Sequence, residues 1–297
     1  MSDQVIQWFP GHMAKTRRKI TESLNMVDAV VEIVDARIPV SSRNPELAGI
    51  IVKKPLLVLL NKCDVADPTA TSKWVKWFEA QGIKALAVDC RSGKGVNMVV
   101  PTIKELLKEK IEQNISKGMV GKALRVMVAG IPNVGKSSFI NRLAKGNRAK
   151  VEDRPGVTRG NQWFSVDRGL ELLDTPGVLW PKFEDPSVGL KLAFTGAVKD
   201  TVLDIETLAV EFLKATAKEY KGLLDARYKT DIDIEQEPYD ILCAIGKKRG
   251  MVIRGGEIDT ERAAVMLMDE YRAGTIGKMT LELPIEEMTL EEGVADA

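Results

Sequence analysis

The segment Gly130-Ile131-Pro132-Asn133-Val134-Gly135-Lys136-Ser137 constrains the fold more than any other. A glycine, four residues and then Gly-Lys-Ser is the pattern of a phosphate-binding loop, and its surroundings are those the pattern requires. The apolar run Leu124–Ala129 leads in, and Ser137-Ser138-Phe139-Ile140 opens a helical stretch behind it. Glycines at both ends let backbone N–H groups turn inward onto phosphate oxygens, and the helix N-terminus adds a positive dipole end. Asn133, Val134, Gly135, Ser137 and Ser138 are candidate phosphate contacts. Lys136 is expected to reach the β- and γ-phosphates, and the Ser137 hydroxyl is expected to hold Mg²⁺. A loop of this type needs a buried parallel strand before it and a helix after it, so the chain is expected to be an α/β protein.

The rest of the first two thirds agrees. Val30–Ala36, Pro55–Leu60 and Lys84–Val88 are short, apolar and mostly free of alternation, as strands buried on both faces of a parallel sheet read. Between them lie helical spacings such as Trp74, Trp77 and Phe78. The run 163–173 is split by Asp167-Arg168-Gly169 and predicts a hairpin, the one antiparallel pair. Gln113–Lys122 is polar and Gly-bearing and reads as a linker. Beyond about Pro186 the periodicity becomes helical. A first helix is expected at Ile205–Leu213 with Asp204 as its cap, a second at Pro238–Lys248, and a third at Asp259–Ala273 ended by Gly274. The expected domains are 1–186 for the α/β part, 187–283 for a small all-helical part, and 284–297 for an acidic tail expected to be disordered.

Composition excludes other classes. At 297 residues and 44% hydrophobic the chain is too apolar for a disordered one. No apolar run approaches the roughly 18–20 residues of a membrane span, and the N-terminus lacks the apolar core of a signal peptide. Cys63, Cys90 and Cys243 are too few and too scattered for a disulfide framework or a zinc cluster, and a single histidine, His12, rules out a multi-imidazole site. A cytoplasmic protein with no membrane or DNA partner is expected.

Three further segments specify the nucleotide. Asp174-Thr175-Pro176-Gly177 follows an apolar run, so Asp174 is placed to hold Mg²⁺ through water and the Gly177 N–H to sense a γ-phosphate. Thr158, in Arg154–Thr158, is placed to close over Mg²⁺. Asn61-Lys62-Cys63-Asp64 ends a buried run. A carboxylate such as Asp64 accepts from the guanine N1–H and 2-amino groups, which adenine lacks. Together these segments resemble those of a guanine-nucleotide-binding G domain, but in a rotated order. The Asn-Lys-Cys-Asp loop and a following Asp89-Cys90-Arg91-Ser92 loop, in the place of the last base loop, both precede the phosphate loop. With Trp8–Met13, Lys15 and Val34-Asp35-Ala36-Arg37-Ile38-Pro39, the chain from about residue 7 to 283 resembles the circularly permuted ribosome-assembly GTPases. The resemblance implies a circularly permuted P-loop G domain with a mostly parallel sheet and helices on both faces. The last base loop of that family usually carries Ser-Ala, where this chain has Asp89-Cys90 or Cys90-Arg91.

The resemblance also implies an activity and a partner: GTP hydrolysis, slow until stimulated, on an immature large ribosomal subunit and its rRNA, with release on hydrolysis and a monomeric state off the ribosome. Val178 stands where many GTPases carry the glutamine that orients water. His12 is the expected catalytic group, because that position is apolar and because the resemblance implies a histidine there. A nucleotide-gated RNA-binding scaffold with little hydrolysis is the alternative. Asn133 resembles the asparagine that helps hold K⁺ in potassium-activated GTPases, and reads equally as a hydrogen-bonding loop residue. Basic clusters at Lys15–Lys19 and Lys247–Arg249, with Arg262, Arg272 and Lys278, suit phosphate contacts. The near-neutral total conceals a polarity: residues 1–278 carry +7, and the last nineteen hold six acidic residues and no basic ones.

Overall fold

The structure is a computed structural model that describes residues 18, 20–51, 54–144, 162–167, 169–175, 177, 185–198 and 204–284. His12, Thr158, Val178, Lys15–Lys19 other than Arg18, and the tail from 285 lie outside them, or carry no description of their side chains.

A six-stranded sheet forms the centre, in the order β3-β2-β1-β4-β6-β5. The strands are β1 (Ala29–Asp35), β2 (Leu56–Asn61), β3 (Lys84–Ala87), β4 (Leu124–Ala129), β5 (Gln162–Asp167) and β6 (Leu170–Asp174). All neighbours are parallel except β5 and β6, which form the expected antiparallel hairpin. Strand β1 is buried throughout, and its two faces pack into different cores. Val31 and Ile33 face a core with Val126, Val128, Phe139 and Ile140. Val30 packs with Met127, Trp163 and Leu173 together with Ile20 and Leu24, and Val34 packs with Trp74 and Phe78. Helices therefore cover both faces. On one side are α3 (Val99–Leu106), α5 (Lys136–Ala144) and part of α6 (Pro186–Phe194). On the other are α1 (Pro45–Ile51) and α2 (Pro68–Ala80).

Helix α2 shows local rules at work. Asp67 caps it by accepting from Ala70 N at 2.8 Å, and Pro68 takes the first-turn position where no amide is needed. The expected linker at Gln113–Lys122 is corrected in its first half: Gln113–Ser116 is the end of α4 (Lys108–Ser116). Polar residues read as a loop there, but a helix with one side in solvent needs few apolar positions.

The remaining helices are α7 (Ile205–Thr216), α8 (Lys221–Tyr228), α9 (Pro238–Lys248) and α10 (Thr260–Ala273). They share a second core of Leu208, Phe212, Ile241, Ile245, Leu267 and Met268. Asp204 caps α7 through Thr207 N at 2.9 Å, and Gly274 ends α10 in the left-handed region at φ 74°. Helix α6 bridges the two cores, giving Val188 and Leu192 to the sheet side and Ala193 and Phe194 to the helical side. After α10 the chain returns to the sheet: Leu281 N donates to Arg37 O at 2.8 Å. No helix among the described residues is long and apolar enough to cross a membrane.

Candidate nucleotide site

All the candidate segments among the described residues leave the carboxyl ends of parallel strands. The Asp35–Pro39 turn follows β1, Asn61–Asp64 follows β2, Asp89–Ser92 follows β3, the phosphate loop follows β4 and Asp174–Gly177 follows β6. From β1 the chain runs outward to β3 on one side, and on the other it passes from β4 to the edge strand β5 and returns as β6. The adjacent β1 and β4 are thus the topological switch point at which such sheets bind ligands.

The phosphate loop is wound by three positive φ values: 148° at Gly130, 60° at Asn133 and 105° at Gly135. At Gly130 and Gly135 a side chain would also collide. A Cβ would lie 2.5 Å from Ile33 O and 2.3 Å from Asn61 Nδ2 respectively. Lys136 folds back under the loop, donating to Gly130 O at 2.9 Å and Ile131 O at 2.7 Å. Among the described residues no carboxylate pairs with it. Burial pushes its pKa down to about 8, against the pull of Asp174. A buried ammonium held only by carbonyls is chemically suited to an anion.

Gly177 closes the site from the β6 side. A Cβ there would lie 2.7 Å from Lys136 Nζ and 3.0 Å from Pro132 N, so a side chain at 177 would displace the ammonium and press on the phosphate loop. Asp174 is half-buried, and burial raises its pKa against the lowering influence of Lys136 and the Thr175 amide. The Thr175 hydroxyl anchors the strand end to Val128 O at 2.7 Å. Ser137 and Ser138 are exposed at the start of α5. The Ser137 hydroxyl and the Asp174 carboxylate are hard oxygen ligands of the kind Mg²⁺ takes, the second through water, so the residues fit the ion.

On the guanine side the structure gives Asn61 a specific task. Its side-chain Nδ2 donates to Val134 O at 2.6 Å, and its Oδ1 accepts from Cys90 N at 3.0 Å. One buried amide therefore joins the phosphate loop to both base loops. Asp64 is exposed. Lys62 stands at φ 62° and its ammonium pairs with Asp35 at 2.9 Å. In the last base loop Asp89 shapes the turn, accepting from Arg91 N at 2.8 Å and Ser92 N at 3.2 Å. Burial tends to raise its pKa, but the Ser92 and Arg91 hydrogen bonds outweigh it and hold the carboxyl low. Cys90 is buried and its pKa is pushed up to about 12, so it stays a thiol. Cys63 is half-buried and likewise raised by burial. Asn133 points elsewhere: its Nδ2 donates to Gly196 O at 2.8 Å, in the turn after α6.

Two participants have tasks that the sequence reading did not assign. Arg142 on α5 braces the last base loop, donating to Arg91 O and, at 3.5 Å, to Cys90 O. As a cation near a helix C-terminus it reads only as a favourable end charge. Arg37, in the Val34–Pro39 segment of the family resemblance, is buried beside Asp35, a pairing that the sequence shows only as a spacing of two.

Comparison with known proteins gives this geometry a lineage. A family profile described as "50S ribosome-binding GTPase" matches residues 125–237. Ribosome biogenesis GTPase A of Priestia megaterium is 50% identical over 282 residues, covering 95% of this chain and 98% of that protein. Ribosome biogenesis GTPase A of Thermotoga maritima is 32% identical over 286 residues, covering 96% of each. The solved GDP-bound TM YlqF superposes with a TM-score of 0.65 at 28% identity, over 90% of this chain and 99% of that one. With its base loops ahead of its phosphate loop and all of them gathered at one sheet edge, the chain belongs to the ribosome biogenesis GTPase A family, and is a circularly permuted GTP hydrolase.

Proposed function

We propose that this GTPase binds the immature large ribosomal subunit in its GTP state, promotes a late assembly step and leaves after hydrolysis. The observation that carries the reading is the tie between nucleotide loop and helical half. The phosphate loop is hydrogen-bonded through Asn133 to Gly196, in the turn after α6, the helix that the two cores share. A nucleotide-dependent change at the loop has a mechanical route to a second surface. The exposed Lys247, Lys248, Arg249 and Arg262 lie on that second half, a charge arrangement suited to rRNA phosphates.

In this reading Asp64 selects guanine, Lys136 neutralises the phosphates, and Ser137, Thr158 and Asp174 hold Mg²⁺, which offsets charge on the transferring phosphoryl group. His12 positions the attacking water, the task that Val178 cannot perform. Asn133 keeps its side-chain oxygen for K⁺, since its nitrogen donates to Gly196 O. Turnover in KCl against NaCl at equal ionic strength reads that role. The main test is GTP turnover with and without purified large subunits. Strong stimulation is expected, and it is expected to vanish in His12→Ala while GTP binding persists. Subunit binding that depends on GTP without any turnover would instead support the scaffold reading.

A further inference from the structure

A buried ionic chain runs from behind the guanine loop toward the helical half. Lys62, in the middle of Asn61–Asp64, pairs with Asp35 Oδ2 at 2.9 Å. Asp35 in turn takes Arg37 in a two-pronged contact, Nε to Oδ1 at 2.9 Å and Nη2 to Oδ2 at 2.8 Å. The Arg37 guanidinium then leaves the sheet. It lies 5.2 Å from the centre of the Tyr271 ring on α10 and reaches 3.5 Å from Thr195 O at the end of α6.

Two observations indicate that this chain is more than a stabilising device. Among the described residues, Arg37 Nη1 and the Tyr271 hydroxyl are both buried without a hydrogen-bond partner. A junction serving stability alone is better filled by apolar groups, since buried ion pairs gain little net energy and unpaired buried donors cost it. Independently, the back of the guanine loop is built from the same part of the helical half. Met279 N donates to Val65 O at 3.2 Å, and a Cβ on Gly274 would lie 2.4 Å from Val65 Cγ1. Position 274 thus admits only glycine, which lets the end of α10 sit directly against the residue after Asp64.

We infer that Arg37 is a positioning residue that couples guanine recognition to the helical half: through Asp35 it fixes Lys62 beneath the base loop, and through Tyr271 and Thr195 it transmits the state of that loop to α10 and α6. The inference rests on reading Asn61–Asp64 as the guanine loop. It differs from the Asn133 link in carrying the base side of the site, which GDP and GTP both fill. Coupling of this kind is reciprocal: whatever orders the helical half through Arg37 also tightens nucleotide binding.

The test is amide hydrogen exchange of the full chain with and without GDP. In the parent protein GDP is expected to slow exchange at 61–65 and 130–137, and also by roughly tenfold in peptides covering 189–197 and 267–274, within the usual range of coupling between sites. Arg37→Lys keeps the charge but loses the two-pronged contact. It is expected to retain slowing at the loops and lose it in α6 and α10. Should that variant not fold, Tyr271→Leu enters the chain at its other end, away from the nucleotide loops, removing the ring that faces the guanidinium while keeping an apolar side chain in the helical core. It is expected to lose the same distant protection. Retained protection of α10 in a folded Arg37→Lys or Tyr271→Leu protein overturns the inference, as does GDP that protects the loops of the parent protein but neither helix. GDP that protects nothing overturns the guanine-loop reading, and the inference with it.

Discussion

Lys136 is where single-residue chemistry and function meet most directly. Burial holds its pKa near 8, below the ordinary 10.5, while Asp174 opposes the shift. Between those values the unfolded chain holds a proton that the folded chain has released, so stability rises with pH across that window through this group. Below about 8 both forms are protonated and the contribution is constant. A bound phosphate favours the ammonium and reverses the balance. GDP binding is therefore expected to take up a proton above pH 8, and its affinity to fall by up to about tenfold per pH unit there. Calorimetry at about pH 8.5 in two buffers of different ionisation enthalpy checks this, and equal heats in both buffers would contradict it. Lys136 itself was legible because its spacing from two glycines is fixed by the backbone that wraps phosphate. The task of Arg37 was not, although the residue stands in the Val34–Pro39 segment of the family resemblance, because its partners beyond Asp35 lie 158 and more residues away. Asn61 was half legible: its place in Asn-Lys-Cys-Asp is a motif, but its use as a clamp between Val134 and Cys90 emerges only when three strand ends are brought together.

At the level of elements, strands and caps could be read because their signals are local. Leu124–Ala129 is β4 residue for residue, and the Asp204 and Gly274 ends are as expected. What local patterns miss is an element's second allegiance. Helix α5 is recognisable as the helix of the phosphate loop, yet its second turn also braces the Asp89–Ser92 loop through Arg142. Arg142→Ala leaves the phosphate loop untouched and removes an exposed brace. GDP affinity is expected to fall roughly fivefold, the worth of about 1 kcal/mol of hydrogen bonding. Inorganic pyrophosphate, which has no base, is expected to bind the variant as it binds the parent. Competition binding with both ligands distinguishes loss at the base loop from general weakening, which would lower the two affinities together.

For the whole molecule the question is what keeps two separately cored halves in one arrangement. Much of the answer lies in a strap of four residues, Met279–Glu282, that leaves the helical half and crosses the loops of the sheet. Glu282 is one of the six acidic residues of the C-terminal nineteen, so composition alone groups it with the tail. The structure instead buries its carboxylate, which accepts from Val40 N at 2.7 Å, from the Ser41 amide and hydroxyl, and from Lys191 at 3.1 Å. Its carbonyl takes the indole N–H of the fully buried Trp74 at 2.8 Å. One residue earlier in the strap Leu281 holds Arg37 O, and Thr280 Oγ1 accepts from Asp67 N at 3.0 Å, at the cap of α2. Removing the strap strands several buried donors at once, each costing about 1–3 kcal/mol, with totals that do not add simply. A chain ending at Lys278 is therefore expected to lose on the order of 3–6 kcal/mol in chemical unfolding. A chain ending at Pro284 keeps every one of these contacts and is expected to match the parent. Because the strap also supports the turn that carries Asp35 and Arg37, the shorter chain is expected to bind GDP more weakly even where it remains folded. Equal stability of the two truncations would show that the halves are held by their cores alone.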